Sequence, residues 1–285
     1  MSMAINTNVA SMNAQRNTIT NAASMSTTLQ RLSSGLRVNS AKDDAAGLAI
    51  ASRMDTQVRG MNVAIRNAND GISLAQTAES GMATVTDMLQ RMRELAVQAS
   101  NSTNTTGSGG DVDKLNDEYT ELSSEISRTL QSVQFNGQNL LSGVAGSFSF
   151  QVGANTGTAQ QISIASGSLD LGSSAVSAVY GAATSALSTG SNAGNSANIT
   201  AIDAAISAVN TSRAKLGAVQ SRFENTINFL RSSVENQSAA KGRIMDADFA
   251  AETANLSRAQ ILQQAGTAMI SQANQLPQNV MSLLR

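Results

Sequence analysis

The feature that most constrains this chain is an apolar seam that runs without a proline from Ala51 to Ala99. Apolar residues fall at Ala51, Met54, Val58, Met61, Ile65, Ala68, Ile72 and Ala75. They resume at Ala78, Met82, Val85, Leu89, Met92, Ala96 and Ala99. The steps are threes and fours, a heptad-like spacing whose one slip is the pair of threes around Ala78. A continuous helix here would be about 70 Å long at 1.5 Å per residue. A rod of that length cannot bury its stripe on itself, so other helices must lie along it.

Two other stretches supply them. Val112, Leu115, Tyr119, Leu122, Ile126, Leu130 and Val133 predict a shorter helix after the turn composition at 101–110. A tight link after a long helix makes this an antiparallel return. Ile202, Ile206, Val209, Leu216, Val219, Phe223, Ile227, Leu230 and Val234 predict a second long partner. Between them the period changes. Phe148, Phe150 and Val152 alternate with Ser149 and Gln151, and Ile162 and Ile164 flank Ser163. That spacing predicts a β-hairpin. From Leu140 to Ala201 the sole charge is Asp170, which predicts a loosely specified, peripheral segment, with low-complexity disorder as the competing reading for 173–196.

The two ends are built alike. Ile5, Val9, Met12, Ile19, Leu29, Leu32 and Leu36 recur at helical spacings, as do Leu262, Ala265, Met269, Ala273, Leu276, Val280 and Leu283. Before Lys42 the charges are Arg16, Arg31 and Arg37; after Glu252 they are Arg258 and Arg285. A solvated helix face normally carries Lys and Glu. Uncharged polar groups tolerate close packing where they are hydrogen-bonded. The ends are therefore expected to form one antiparallel helix pair whose outer side meets further copies of the chain, against a merely polar, partly disordered terminus. Between the first helix and the rod, Gly35 reads as a helix end, and Ser40 with Asp43 as a near capping box for the rod.

Chemistry is excluded by what is missing. The 285 residues contain no histidine and no cysteine, which removes catalytic triads, thiol nucleophiles and the usual zinc sites. No metal and no cofactor is expected, and no enzyme. Asp43/Asp44, Asp111/Asp113 and Asp246/Asp248 lie at helix boundaries, where capping accounts for them. A net charge of −1 leaves no footprint for nucleic acid or an anionic membrane. No apolar run nears the ~20 residues of a membrane span. Met1 to Met12 lacks the basic and apolar regions of a secretory signal peptide.

Several long motifs carry a resemblance. These are RLSSGLRVNSAKDDAAGLAIASR (31–53), RNANDGISLAQTAE (66–79), MRELAVQASN (92–101), FNGQNLL (135–141), SRAQILQQAGTAM (257–269) and QANQLPQNVMSLLR (272–285). Together with Ile5-Asn6-Thr7-Asn8 they resemble bacterial flagellin over about 1–141 and 199–285. The resemblance implies a mainly α fold, a long antiparallel helical coiled-coil bundle of discontinuous halves with a small β-hairpin region. Residues 1–42 and 246–285 would form the inner terminal coiled coil, 43–140 and 199–245 the helical bundle, and 141–198 a hairpin and outer segment. The large outer domains of many family members look absent.

By the same resemblance the chain would be a self-assembling structural subunit of the flagellar filament, used for motility. It would lie outside the cell after type III export without a cleaved signal peptide. Self-assembly would use Ile5, Val9, Met12, Leu29, Leu32, Leu36, Leu262, Met269, Leu276, Val280 and Leu283. Its partners would be other copies of itself, flagellar cap and hook-junction proteins, and an export chaperone. The family's surface for a host Toll-like receptor maps onto Gln90, Arg91, Leu95 and Gln98, with Glu118 on the neighbouring helix. Leu283 and Leu284 match the stretch bound by the chaperone and by cytosolic sensors. A hook–filament junction protein of the same family is the alternative. A coiled-coil signalling module outside the flagellum is another, and it would be expected to carry charged flanks at its ends.

Overall fold

The computed structural model describes residues 7–105, 109–142, 146–172, 175–181, 187 and 192–283, apart from the side chains of 192–194 and 276–283. The elements in chain order are α1 (Val9–Ser34), α2 (Ala45–Ala99), α3 (Asp111–Ser132), β1 (Gln134–Phe135) and β2 (Gln138–Asn139). Then come β3 (Phe148–Gln151), β4 (Gln161–Ile164), α4 (Ser177–Tyr180), α5 (Asn192–Met245) and α6 (Phe249–Leu283). The fold is mainly α with two small antiparallel ribbons, β1–β2 and β3–β4. At 55 residues, α2 is about 80 Å long. The chain divides into two compact units, one of residues 1–56 with 235–285, the other of residues 57–234. This division falls inside α2 and α5.

The 57–234 unit is built on the seam of α2. Ala68, Ala75, Ala78, Met82, Val85, Leu89, Met92, Ala96 and Ala99 are buried in one cluster with Val112, Tyr119, Ile126 and Leu130 of α3. Ile202, Val209, Leu216 and Phe223 of α5 join the same cluster. Each large side chain so buried contributes about 1.5–3 kcal/mol. Phe223 explains why α2 carries Gly71. A Cβ at Gly71 would lie 2.6 Å from the tip of the Phe223 ring, so only glycine lets the ring in. Phe150 of β3 closes the other side, edge-on to Phe223 with ring centres 5.6 Å apart.

The hairpin pairs Phe148 with Ile164 and Phe150 with Ile162, the alternation read from the sequence. The expectation of a peripheral segment is corrected. Ile162, Ile164, Leu169, Leu171, Val176 and Val179 all lie in the main core, so this charge-poor stretch packs through apolar contacts without helical period. Of residues 173–196, the positions 173–174, 182–186 and 188–191 lie outside the described residues. Three polar contacts link the helices: Arg91 Nε to Glu118 Oε1 at 2.8 Å, Arg93 Nε to Asp203 Oδ1 at 2.7 Å, and Gln220 Nε2 to Glu79 Oε2 at 3.0 Å.

In the other unit, α1 ends at Gly35, whose N–H reaches the Arg31 carbonyl at 2.8 Å. The chain leaving α1 runs against the link between α5 and α6. Arg37 donates from its backbone to Met245 O at 2.6 Å and from its guanidinium to Ile244 O at 2.8 Å, while Ala247 N–H returns to Gly35 O. The near capping box is also corrected. Asp44, not Ser40, caps α2, accepting the Gly47 N–H at 2.8 Å. Asp43 closes the preceding turn instead. It accepts the Ser40 N–H, the Ser40 hydroxyl and the Asn39 N–H, and these hold its carboxyl below the usual carboxylate range.

Candidate functional site

The terminal helices pair with each other, antiparallel. Asn8 Nδ2 donates to Ala273 O at 2.7 Å, and Ser11 Oγ donates to Asn274 Oδ1 at 2.9 Å. At the far end Arg31 faces Glu252 at 3.6 Å. Asn8 also caps α1, its Oδ1 accepting the Ser11 N–H at 3.0 Å. The covered positions of α1 are Ser11, Ala14, Thr18, Asn21, Met25, Thr28 and Leu32. Those of α6 are Glu252, Leu256, Ala259, Gln263, Gly266, Ile270 and Ala273. Both sets step by three and four, as knobs-into-holes packing requires.

This seam is not the aliphatic one expected from the sequence. Val9, Met12, Ile19 and Leu29 on α1 are exposed, Ile19 at 71% and Met12 at 54%. So are Ile261, Leu262 and Met269 on α6, Met269 at 62%. Ala273 is buried, and Leu32 and Leu36 are half-buried. Ile5 lies outside the described residues, as do the side chains of Leu276, Val280 and Leu283 and the whole of Leu284. The reason is close approach. At the crossing of Thr18 and Gly266 a Cβ on the glycine would meet the threonine hydroxyl oxygen at 2.7 Å. Small and short polar residues fit so narrow a gap, so the stripe that carries them faces inward. Met25, Leu32, Leu256 and Ile270 are partly covered in that stripe, while Val9, Met12, Ile19, Leu29, Ile261, Leu262 and Met269 are turned out to water. The one acid in this seam, Glu252, is buried and lies opposite Arg31, as a covered charge must.

Five of these exposed side chains are also sorted by face, whereas Ile261, two positions from both Ala259 and Gln263, belongs to neither. On α1, Met12, Ile19 and Leu29 each follow a covered residue by one position; on α6, Leu262 and Met269 each precede one. One step along a helix turns it by 100°. In an antiparallel pair, one step forward on one helix and one step back on the other point to opposite sides. The pair therefore has an α1 apolar face and an α6 apolar face, back to back.

The second candidate surface is on α2 and α3. Gln90, Arg91, Gln98 and Glu118 are exposed. Arg91 is shared between Glu118 at 2.8 Å and Glu94 at 3.0 Å, and these bonds hold its pKa above the ordinary value. Leu95 is corrected: at 1% exposure it sits in the core and offers no contact surface. Val97, which the motif match does not pick, is the exposed apolar residue of that turn. Among the described residues no group of three or more Asp or Glu is placed to hold a metal ion, and no helix is long and apolar enough to cross a membrane.

Long helices, with apolar side chains of the terminal pair turned outward, are what the described residues present. Residues 5–146 match the bacterial flagellin N-terminal helical region, and residues 199–284 match the bacterial flagellin C-terminal helical region. The flagellin of Halalkalibacterium halodurans is 46% identical over 284 residues, covering 99% of this chain and 100% of that one. The flagellin of Bacillus subtilis is 40% identical over 310 residues, with the same coverage. The crystal structure of Bacillus cereus flagellin aligns at 27% identity and a TM-score of 0.47, covering 62% of this chain and 94% of that one. A structure described as a flagellar hook-associated protein of Vibrio parahaemolyticus aligns at 12% identity and a TM-score of 0.56, covering 72% of this chain and all of that one, a likeness of fold alone. The chain belongs to the bacterial flagellin family, in a short form of 285 residues.

Proposed function

We propose that this chain is the repeating subunit of an extracellular flagellar filament, assembled through the α1–α6 pair. The observation that carries this reading is the outward display of Met12, Ile19 and Leu29 on one face and Leu262 and Met269 on the other. Apolar side chains left in water favour any contact that covers them, by about 25 cal/mol per Å². Two different faces on opposite sides mate heterologously, and heterologous contacts that do not close give open helical polymers. The residues expected to take part in assembly also include Ile5, Val9, Leu32, Leu36, Leu276, Val280 and Leu283.

The test is polymerisation of variants that keep their helix content. Ile19→Asp and Met269→Asp each abolish fibres seen by electron microscopy while circular dichroism of the monomer is unchanged. Deletion of 1–38 or of 253–285 leaves a soluble, partly helical monomer that does not polymerise. Filaments from either truncation overturn the reading. A hook–filament junction role within the family is told apart by copy number, a ring of few copies against thousands along a filament.

The exposed Gln90, Arg91, Gln98 and Glu118 support a second role as the surface bound by a host Toll-like receptor. Binding there has to compete with the Arg91–Glu118 pair. Cap and hook-junction proteins and an export chaperone remain the expected partners, the chaperone at the stretch containing Leu283 and Leu284.

A further inference from the structure

We propose that Met12 and Met269 are a pair of peroxide-sensitive modification sites that decide whether a copy of this chain can join the polymer. This rests on the filament reading above. The chain has 12 methionines, and the structure describes the side chains of nine. Met61, Met82 and Met92 are buried, and Met25, Met54, Met88 and Met245 are partly covered. Among the nine, Met12 and Met269 alone are exposed. They are not scattered on the surface. One stands on the α1 apolar face and the other on the α6 apolar face, so each side of the pair carries one oxidisable group.

The chemistry requires a peroxide and nothing else. The thioether sulfur attacks one peroxide oxygen, an S–O bond forms and the O–O bond breaks. The sulfur loses two electrons, and the departing hydroxide takes a proton and leaves as water. The product, methionine sulfoxide, is polar and chiral where the thioether was apolar and flexible, and thiol-dependent reductases reverse it. A sulfoxide oxygen carried into an apolar contact loses its water without gaining a donor. A copy oxidised at either position therefore fails at one of its two faces. Once the faces are covered by neighbours, the same sulfurs are out of reach of the oxidant.

The test uses the full-length chain and hydrogen peroxide, with oxidation mapped by mass spectrometry of peptides. In the monomer, Met12 and Met269 gain oxygen about tenfold or more faster than Met61, Met82 and Met92, following their exposure. The oxidised monomer shows a fall of about tenfold or more in polymer yield, and a methionine sulfoxide reductase restores it. When partly oxidised monomer is allowed to polymerise, copies carrying sulfoxide at Met12 or Met269 stay in the supernatant, while copies oxidised at other methionines enter the fibres. In preformed fibres of the unmutated chain, Met12 and Met269 are protected, a readout independent of any substitution. Failure of the untreated chain to polymerise sinks the filament reading, while the monomer oxidation map still reports on the two sulfurs. Unchanged polymerisation after both are oxidised overturns the proposal. So does the entry into fibres of copies oxidised at Met12 and Met269, or an exclusion that follows oxidation of another methionine instead.

Discussion

Gly266 of α6 lies against Thr18 of α1, where a single added carbon would sit 2.7 Å from the Thr18 hydroxyl oxygen. That hydroxyl is already committed to the Ala14 carbonyl at 2.9 Å and has little room to turn away. Gly266→Val is expected to force α1 and α6 apart at a cost of about 1–3 kcal/mol. Gly266→Ala is milder, since about 1 kcal/mol of helix propensity offsets the crowding. Hydrogen exchange reads the difference: amides of α1 and α6 exchange faster in the valine variant, and those around Phe223 do not.

Gly71 and Phe223 make the same kind of contact in the main core. Gly71→Ala is expected to cost about 1–3 kcal/mol by overpacking, and Phe223→Ala about 3–5 kcal/mol by leaving a cavity. Combined, they cost less than the sum, because the alanine methyl enters space the ring has vacated. Urea denaturation of the two single variants and the double variant measures this coupling.

Two neighbouring acids have different tasks. Asp44→Ala removes the cap of α2 and is expected to cost about 1 kcal/mol, with Asp44→Asn restoring most of it. Asp43→Ala instead frees the Ser40 and Asn39 amides. Amide exchange at 39–40 rises in that variant, and exchange at Gly47 rises in the Asp44 variant.

Acid acts on both kinds of turn. Asp43 is held below its ordinary value of 3.8 by the Ser40 amide and hydroxyl and the Asn39 amide, and Asp111 by the hydroxyl and amide of Thr105. A lowered carboxyl stabilises the fold above its unfolded pKa, and the benefit is lost as pH falls through the folded one. Between neutrality and about pH 5 neither turn changes; below about pH 4 both loosen. Proton chemical shifts of the Asn39, Ser40 and Thr105 amides follow the two titrations.

Leu95 separates the proposed receptor contact from core integrity. Leu95→Ala is expected to lower stability by about 2–5 kcal/mol. Its loss of receptor signalling then tracks the unfolded fraction. Arg91→Ala and Glu118→Ala lower receptor affinity while the thermal midpoint stays in place.

Much of this architecture is legible because long helices repeat one decision many times. The α2 seam at Ala68, Met82, Leu89 and Met92, the α3 stripe and the alternation of the Phe148–Ile164 hairpin follow directly from spacing. The inner stripe of the terminal pair does not. Val9 and Met12 have the same period as Asn8 and Ser11, displaced by one residue. Periodicity alone ranks the aliphatic stripe first, and the close approach at Gly266 reverses that order. Leu95 lies off the two-per-heptad seam of α2, so spacing does not mark it as buried, yet it belongs to the same core cluster. The β1–β2 ribbon had a readable signal in Asn136-Gly137, whose φ angles of 50° and 75° suit the tight hairpin that Asn-Gly favours. Leu169, Leu171 and Val176 had none, because irregular backbone buries side chains without a period.

Back-to-back sticky sides make a copy damaged on one side a terminator. Such a molecule still docks through its sound side and then offers the next arrival nothing to hold. A small admixture of Met269→Asp chains is therefore expected to shorten fibres far out of proportion to its share, whereas copies spoiled on both sides merely stay in solution.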